Sequence, residues 1–300
     1  FLEWSGLRVT FVRNLTDVDD KIIDRAKATG TTAAELGTRM GDAFIEDARA
    51  LGCRPPDVEP RATQHIPEML ALIDRLEKGG HAYRSDGDVY FHVPSYPAYG
   101  RLSNRKLDDL VAGARVEVSE VKRNPADFAL WKGVKPGEPS WESPFGPGRP
   151  GWHIECSAMS SKYLGQPFDL HGGGEDLIFP HHENEVAQSE AAFGTVFSSH
   201  WMHVSFLRLG AEKMSKSLGN FVTIRQALEK YPAEAIRLFL LQTHYRSPLE
   251  FGEVGFEEAQ SALVRMYETL VRAGAQGPRV EGSWRAPSAL AVSTGAGSTE

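Results

Sequence analysis

The most constraining feature of this chain is a β-prone run, Pro167-Phe168-Asp169-Leu170-His171, that meets Gly172-Gly173-Gly174 and leads to Pro180-His181-His182-Glu183-Asn184-Glu185. Three glycines read as a tight loop after a strand, and Pro180 reads as the opening of a helix. The texture is α/β. It extends in both directions. Arg8 to Arg13 reads as a strand and Asn14-Leu15-Thr16-Asp17 as a helix start, followed by Val18, Ile22, Ile23 and Ala26 at helical spacing up to Gly30. A second stripe runs through Leu36, Met40, Phe44, Ala48 and Leu51, and a third through Ile66, Met69, Ile73 and Leu76 to Gly79. Asp86-Gly87 between two β-prone runs is a hairpin signal. Residues 95–150 read as irregular, Trp152 to Met159 as helix, and the chain from Ile224 onward as helical, with a last stripe at Phe256, Ala259, Leu263, Met266, Tyr267 and Leu270.

Composition narrows the class. A net charge of −7 with 41% hydrophobic and 24% charged residues excludes collagen-like, wholly disordered and strongly basic chains. Any nucleic-acid contact is therefore local. No apolar run approaches the roughly 20 residues of a membrane span. The two cysteines, Cys53 and Cys156, make no disulfide framework, so a cytoplasmic location and thiols free for metal are expected. Residues 273–300, rich in Gly, Ala and Ser, are expected to form a loose tail.

Four constellations can carry chemistry. A helix from Pro180 places His181 and Glu185 on one face, where Cys156 can join them. Mixed S, N and O donors suit Zn²⁺ rather than Mg²⁺ or Ca²⁺; the plainer reading is a buried Cys and a His pair at a polar helix start. Gly172, Gly173 and Gly174 let backbone approach a flat or phosphorylated ligand, or simply form a turn. Lys213-Met214-Ser215-Lys216-Ser217 is a charged loop able to neutralise phosphate oxygens, and a chance match to this pentapeptide is on the order of one in ten thousand. In Thr16-Asp17-Val18-Asp19-Asp20 the aspartates either hold Mg²⁺ or cap a helix. A fifth group, Lys122, Arg123, Lys132 and Lys135 around Phe128 and Trp131, is either an RNA-facing patch or a solvated face.

Asn14 to Ile22, Lys122-Arg123-Asn124-Pro125, Gly151 to Met159, the Gly-Gly-Gly to His-His-Glu-Asn-Glu stretch and Lys-Met-Ser-Lys-Ser together resemble the cysteinyl-tRNA synthetases, from about residue 8 to about residue 272. The resemblance implies a class I aminoacyl-tRNA synthetase with an α/β, Rossmann-type catalytic domain split by a connective insertion, then a mainly helical stem-contact region. The implied parts are residues 1–57 and 144–205 for the catalytic domain, 58–143 for the insertion, 206–255 for the signature loop and stem contact, and 256–300 for the start of a helical region. It implies one Zn²⁺ per subunit on Cys156, His181 and Glu185, and ATP as a substrate with Mg²⁺. Lys213 and Lys216 become the catalytic lysines, Lys216 also binding ATP with Gly172, Gly173, Gly174 and Asp176. Thr16 and Trp152 line the cysteine pocket. The implied partners are tRNA(Cys), L-cysteine and ATP, for a monomer off the membrane.

The chain departs from that pattern in two respects. None of its ten histidines lies in a His-x-Gly-His motif, and Cys53 is not in the family's ligand context. A fragment lacking the first strand and helix is expected, nearly inactive by itself for want of histidine donors to the phosphates. Two rivals remain: the cysteine ligase of mycothiol synthesis, disfavoured by the intact His-His-Glu-Asn-Glu, and a non-catalytic zinc- or nucleotide-binding paralogue.

Overall fold

The computed structural model describes residues 1–106, 121–209, 212–213 and 222–274. The chain divides into two compact units, one of Phe1–Arg49 with Cys53–Phe206, the other of Ala50–Gly52 with Leu207–Glu300.

In the first unit the strand expected at residues 8–13 is reduced to isolated parallel bridges, Val12 to Val58 and Leu15 to Arg61. The helix expected from Asn14 starts later, as α1 (Asp20–Thr29), because Leu15 is tied to Pro60 and Ala62 through its main chain. Asp19 is the cap, accepting from the Ile22 amide at 2.7 Å. Asp17 instead accepts from the amide and hydroxyl of Thr63 at 2.9 and 2.7 Å. Asp20 pairs with Lys132 at 2.6 Å and with Arg149. The aspartates thus have three separate structural jobs.

Helix α2 (Ala33–Ala50) buries Leu36, but Met40 and Phe44 of the expected stripe are 48% and 44% exposed. The close approach is made elsewhere, at Gly37, where a Cβ would stand 2.4 Å from the Asp17 carbonyl oxygen. Helix α3 (Ile66–Lys78) buries the whole stripe expected of it.

The hairpin is as expected: β1 (Ala82–Ser85) and β2 (Asp88–Phe91) close on Asp86-Gly87, both at positive φ. Residues 95–150 are not wholly irregular. They supply β3 (Phe128–Gly133) and β4 (Gly148–Pro150), completing an antiparallel sheet of order β1-β2-β3-β4. The short runs between prolines and glycines hid them. Phe128 and Trp131 are buried in the core with Phe91, Leu130, Met69 and Ile73, which removes the aromatic half of the suspected RNA-facing patch.

Helix α4 (Trp152–Leu164) packs on this core through Ile154, Ala158 and Met159. Next come β5 (Phe168–Gly174), α5 (Glu183–Phe193) and β6 (Ser198–Val204), with β5 and β6 parallel, a βαβ crossover. Gly172, Gly173 and Gly174 belong to β5 and pair with Met202, His203 and Val204 rather than forming a loop.

In the second unit β7 (Leu207–Leu209) pairs antiparallel with β8 (Glu212–Lys213) and parallel with β9 (Leu249–Glu250). Helix α6 (Ile224–Lys230) begins with a capping box of Thr223 and Gln226; α7 (Ala233–Gln242) follows Pro232, and α8 (Glu253–Arg272) closes the described chain. Leu51, Ile236, Phe239, Phe256 and Ala259 form its core, while Met266 and Leu270 of the expected last stripe stay exposed. The tail from residue 275 lies outside the described residues. Among the described residues no helix is long and apolar enough to cross a membrane.

One buried carboxylate organises the four-stranded antiparallel sheet. Asp127 accepts from the amides of Val93 (2.9 Å) and Asn124 (3.0 Å) and from the Tyr83 hydroxyl (2.8 Å). Asp127→Ala leaves these donors without an acceptor, at about 1–3 kcal/mol for each one that stays buried. Its urea midpoint is expected to fall by the equivalent of roughly 3 kcal/mol or more, while an exposed-surface control such as Glu257→Ala shifts stability by less than about 0.5 kcal/mol.

Candidate functional site

A helix usually buries an apolar stripe, but α5 buries nearly its whole first two turns, Glu183, Asn184, Glu185, Val186, Ala187, Gln188 and Ser189. Polar groups taken out of water need partners, and most of these find one. Glu183 accepts from the amides of Gly100 (2.8 Å) and Ser103 (2.7 Å). Asn184 accepts from the Tyr99 hydroxyl. Gln188 donates to Ser157 Oγ at 2.7 Å and to the His153 carbonyl, and Ser189 donates to Ser157 Oγ at 2.8 Å. The helix is thereby clamped to α4 on one side and to the 96–103 segment on the other.

Glu185 is the exception. Its side chain is wholly buried; Oε1 lies 2.6 Å from His181 Nε2 and Oε2 lies 2.7 Å from His171 Nε2. Neither oxygen has a donor aligned for a hydrogen bond. Burial raises its pKa, but the two imidazoles outweigh burial and hold it well below the usual carboxylate range.

Cys156 Sγ, a His181 ring nitrogen and a Glu185 oxygen all lie within 4.8 Å of one another. One ion with bonds of about 2.0–2.3 Å can draw such donors together through small side-chain rotations. The orphaned carboxylate oxygens and the S, N, O donor set fit a zinc ion. Burial, then the Glu185 and Glu155 carboxylates, push the Cys156 thiol well up, so without a cation it stays protonated.

A second group, His171, His182 and Glu185, meets the same distance criterion and shares the carboxylate. The sequence reading passed over His171 and His182 as ligand-type donors; His182 directly precedes α5, three positions from Glu185, whereas His171 reaches the carboxylate from β5. His153 was also missed: its Nδ1 lies 3.0 Å from His181 Nδ1. Burial lowers the pKa of His153 and of His182 to about 3. The adjacent Glu155, fully buried, is raised well above its ordinary value by burial.

The other expected residues fall as follows. Trp152, 41% exposed, stacks on His181 with ring centroids 4.3 Å apart. Thr16 is half-buried and accepts from the side-chain amide of Asn14 at 3.4 Å. At Gly173 a Cβ would stand 2.7 Å from His182 Cε1, so glycine makes room for that imidazole. Asp176 is exposed, in a single turn Glu175–Leu177 after β5. Pro180 follows an extended Phe179, and α5 proper begins at Glu183, yet His181 and Glu185 still share a face. Lys213 ends β8, and Lys216 lies outside the described residues.

Residues 1–261 match the family model for the tRNA synthetases class I (C) catalytic domain. Curated relatives named cysteine--tRNA ligase include those of Pelobacter propionicus, 58% identical over 270 residues, covering 90% of this chain and 55% of the relative, and Methylobacillus flagellatus, 57% identical over 290 residues, covering 96% and 63%. The chain thus spans little more than half the length of the relatives it matches. Among solved structures, Mycobacterium tuberculosis methionyl-tRNA synthetase in complex with methionyl-adenylate superposes with a TM-score of 0.69 at 19% identity, covering 90% of this chain and 65% of that one, a likeness of fold. With a Rossmann-like α/β architecture and a family match running over most of its length, the chain belongs to the class I (C) tRNA synthetase catalytic-domain family.

Proposed function

We propose that this chain is the catalytic portion of a cysteine--tRNA ligase, which activates L-cysteine with ATP and transfers it to tRNA(Cys). The observation that carries the reading is the convergence of Cys156, His181 and Glu185 around a buried carboxylate with no aligned donor, in a chain 57–59% identical to proteins of that name. Neither the mycothiol ligase nor a non-catalytic paralogue is favoured by those relatives. Cys156, His181 and Glu185 would hold one Zn²⁺, whose borderline-soft acidity favours a thiolate over a hydroxyl as a further ligand and so separates cysteine from serine.

The chain's own residues do the rest. Trp152, stacked on His181, walls the amino-acid pocket, and Thr16 lines it from the segment before α1. Gly172, Gly173 and Gly174 give the nucleotide a backbone floor without side chains, with Asp176 on the adenosine side. Lys213 and Lys216 neutralise phosphate charge as the cysteine carboxylate attacks the α-phosphorus and pyrophosphate leaves. The 3′-terminal hydroxyl of the tRNA then attacks the acyl carbon and AMP departs. Residues 58–143 form the connective insertion, and the chain acts as a monomer in the cytoplasm with Mg²⁺ accompanying ATP.

Three outcomes are expected. The chain should retain about one zinc per molecule after dialysis, measured by mass spectrometry of the metal. Cys156→Ala, His181→Ala and Glu185→Gln should each weaken zinc binding by at least about tenfold, roughly 1.4 kcal/mol. Full zinc retention by all three variants would refute the ligand set.

Calorimetry on the zinc-loaded chain should show cysteine binding at least about 100-fold more tightly than serine. Trp152→Ala should weaken cysteine binding while leaving zinc content unchanged. Cysteine-dependent pyrophosphate exchange by these 300 residues is expected to be slow, because no His-x-Gly-His motif is present to donate to the phosphates. Serine binding as tight as cysteine would exclude thiol recognition by the metal.

The third outcome concerns acid. Between about pH 3 and the ordinary imidazole value of 6.5, the unfolded metal-free chain takes up protons at His153 and His182 that the folded chain refuses, so stability falls as pH falls through 6.5. Glu155 acts oppositely above 4.5, where it ionises only on unfolding. Two imidazoles against one carboxyl leave the urea midpoint of the metal-free chain lower at pH 5 than at pH 7. A midpoint unchanged or higher at pH 5 would contradict this balance.

A further inference from the structure

The turn Lys122-Arg123-Asn124 takes no part in the proposed metal and nucleotide site. It is built rather than incidental. Asp127, 2% exposed, accepts from the Asn124 amide at 3.0 Å and from the Tyr83 hydroxyl at 2.8 Å, and that same hydroxyl oxygen accepts from the Arg123 amide at 2.8 Å. The main chain of the turn is therefore fixed from below by one carboxylate and one phenol.

Two cations are held on that support. Arg123 Cζ lies 4.2 Å from the centroid of Tyr83, and Lys122 Nζ lies 5.8 Å from that of Tyr90; the two rings stack at 5.8 Å. Both tyrosines are buried, whereas Arg123 is exposed and Lys122 half-buried. Among the described residues neither cation forms an ion pair with a carboxylate, unlike Lys132 and Arg149 of the neighbouring strands, which share Asp20. Asp127 does not neutralise them by contact, since its oxygens are taken by the Val93 and Asn124 amides and the Tyr83 hydroxyl.

Side chains this long usually lose considerable rotamer freedom when fixed. Here ring contact restrains them in advance, at an open surface, with outward N–H groups available. The inner ring faces are covered, so the platform cannot stack a base on an aromatic; what it offers is donors and positive charge to phosphate oxygens. Two adjacent cations on an open sheet surface suit successive phosphodiesters better than a mononucleotide, which is usually enclosed in a pocket.

We propose that Lys122 and Arg123 form a preorganised phosphate-binding platform that contacts the backbone of the tRNA, an inference that rests on the tRNA-ligase reading above. The contact is with the sugar–phosphate chain and is independent of base sequence.

The test is equilibrium binding of a fluorescent tRNA(Cys) transcript to the full chain across a salt series, for the parent, Lys122→Gln/Arg123→Gln, Arg123→Gln alone and Arg123→Lys. The double variant should bind about tenfold more weakly at 0.1 M salt, with the slope of log K against log salt smaller by roughly 1.4–1.8, the loss of two phosphate contacts. Arg123→Gln should lose about half of that slope, and Arg123→Lys, which keeps the charge, should stay within about threefold of the parent. ATP binding, measured in parallel, should not change. An unchanged slope and affinity in both glutamine variants, with the parent binding tRNA, overturns the platform and leaves the tRNA-ligase reading intact. Loss of ATP affinity with tRNA affinity retained overturns the assignment to RNA. A parent that binds no tRNA removes the tRNA part of the functional reading and this inference with it. Arg123→Gln alters only an exposed side chain, so it reports on the contact even if the double variant melts early.

Discussion

The arrangement around the site depends on burying a polar helix. Most of α5 inside the protein is acid, amide or hydroxyl, and each such group costs free energy unless matched. The match is met by distant parts of the chain: amides of the 100–103 segment for Glu183, the Tyr99 hydroxyl for Asn184, and the carbonyl of His153 with the hydroxyl of Ser157 for Gln188. Packing of the 99–103 segment and of α4 is thus tied to one helix. Both oxygens of Glu185 lack an aligned donor, as does Gln188 Oε1, and it is at Glu185 that we propose the metal is held.

How much of this was legible from the residues varies with the kind of signal. The hairpin at Asp86-Gly87 and helix α3 were legible because local turn chemistry and one apolar stripe decide them. The grouping of Cys156, His181 and Glu185 was half legible. A four-residue spacing puts two of the donors on one face, but only the packing of α4 on α5 brings the thiol there. His171 was not legible as a neighbour of the same carboxylate, since it approaches from β5, a long-range contact with no local mark; His182, three residues before Glu185 at the start of α5, was legible by helical spacing and was passed over.

The misreadings have physical causes as well. Three consecutive glycines look like a loop by composition, yet they continue β5, because the missing side chains serve the His182 ring and Leu177 rather than a turn. Met40 and Phe44 follow a helical stripe that stays largely exposed, with only the Arg13 guanidinium laid over the Phe44 ring. Helix α1 begins three residues after Asp17, since the preceding segment is held extended by main-chain bonds to Pro60 and Ala62. In each case tertiary contacts overrode a local preference.

The glycine end of β5 carries a consequence for how this surface can vary. At position 173 even a methyl group would collide with the His182 ring, and at 174 it would stand 2.5 Å from an Asp176 oxygen. Drift at 173 is therefore closed off by the buried His182 ring, whereas at 174 the exposed Asp176 side chain can swing aside. In the proposed reading, selection for a different ligand would act through the side chains around it, such as Trp152 or Thr16, while the peptide at 173 stays bare.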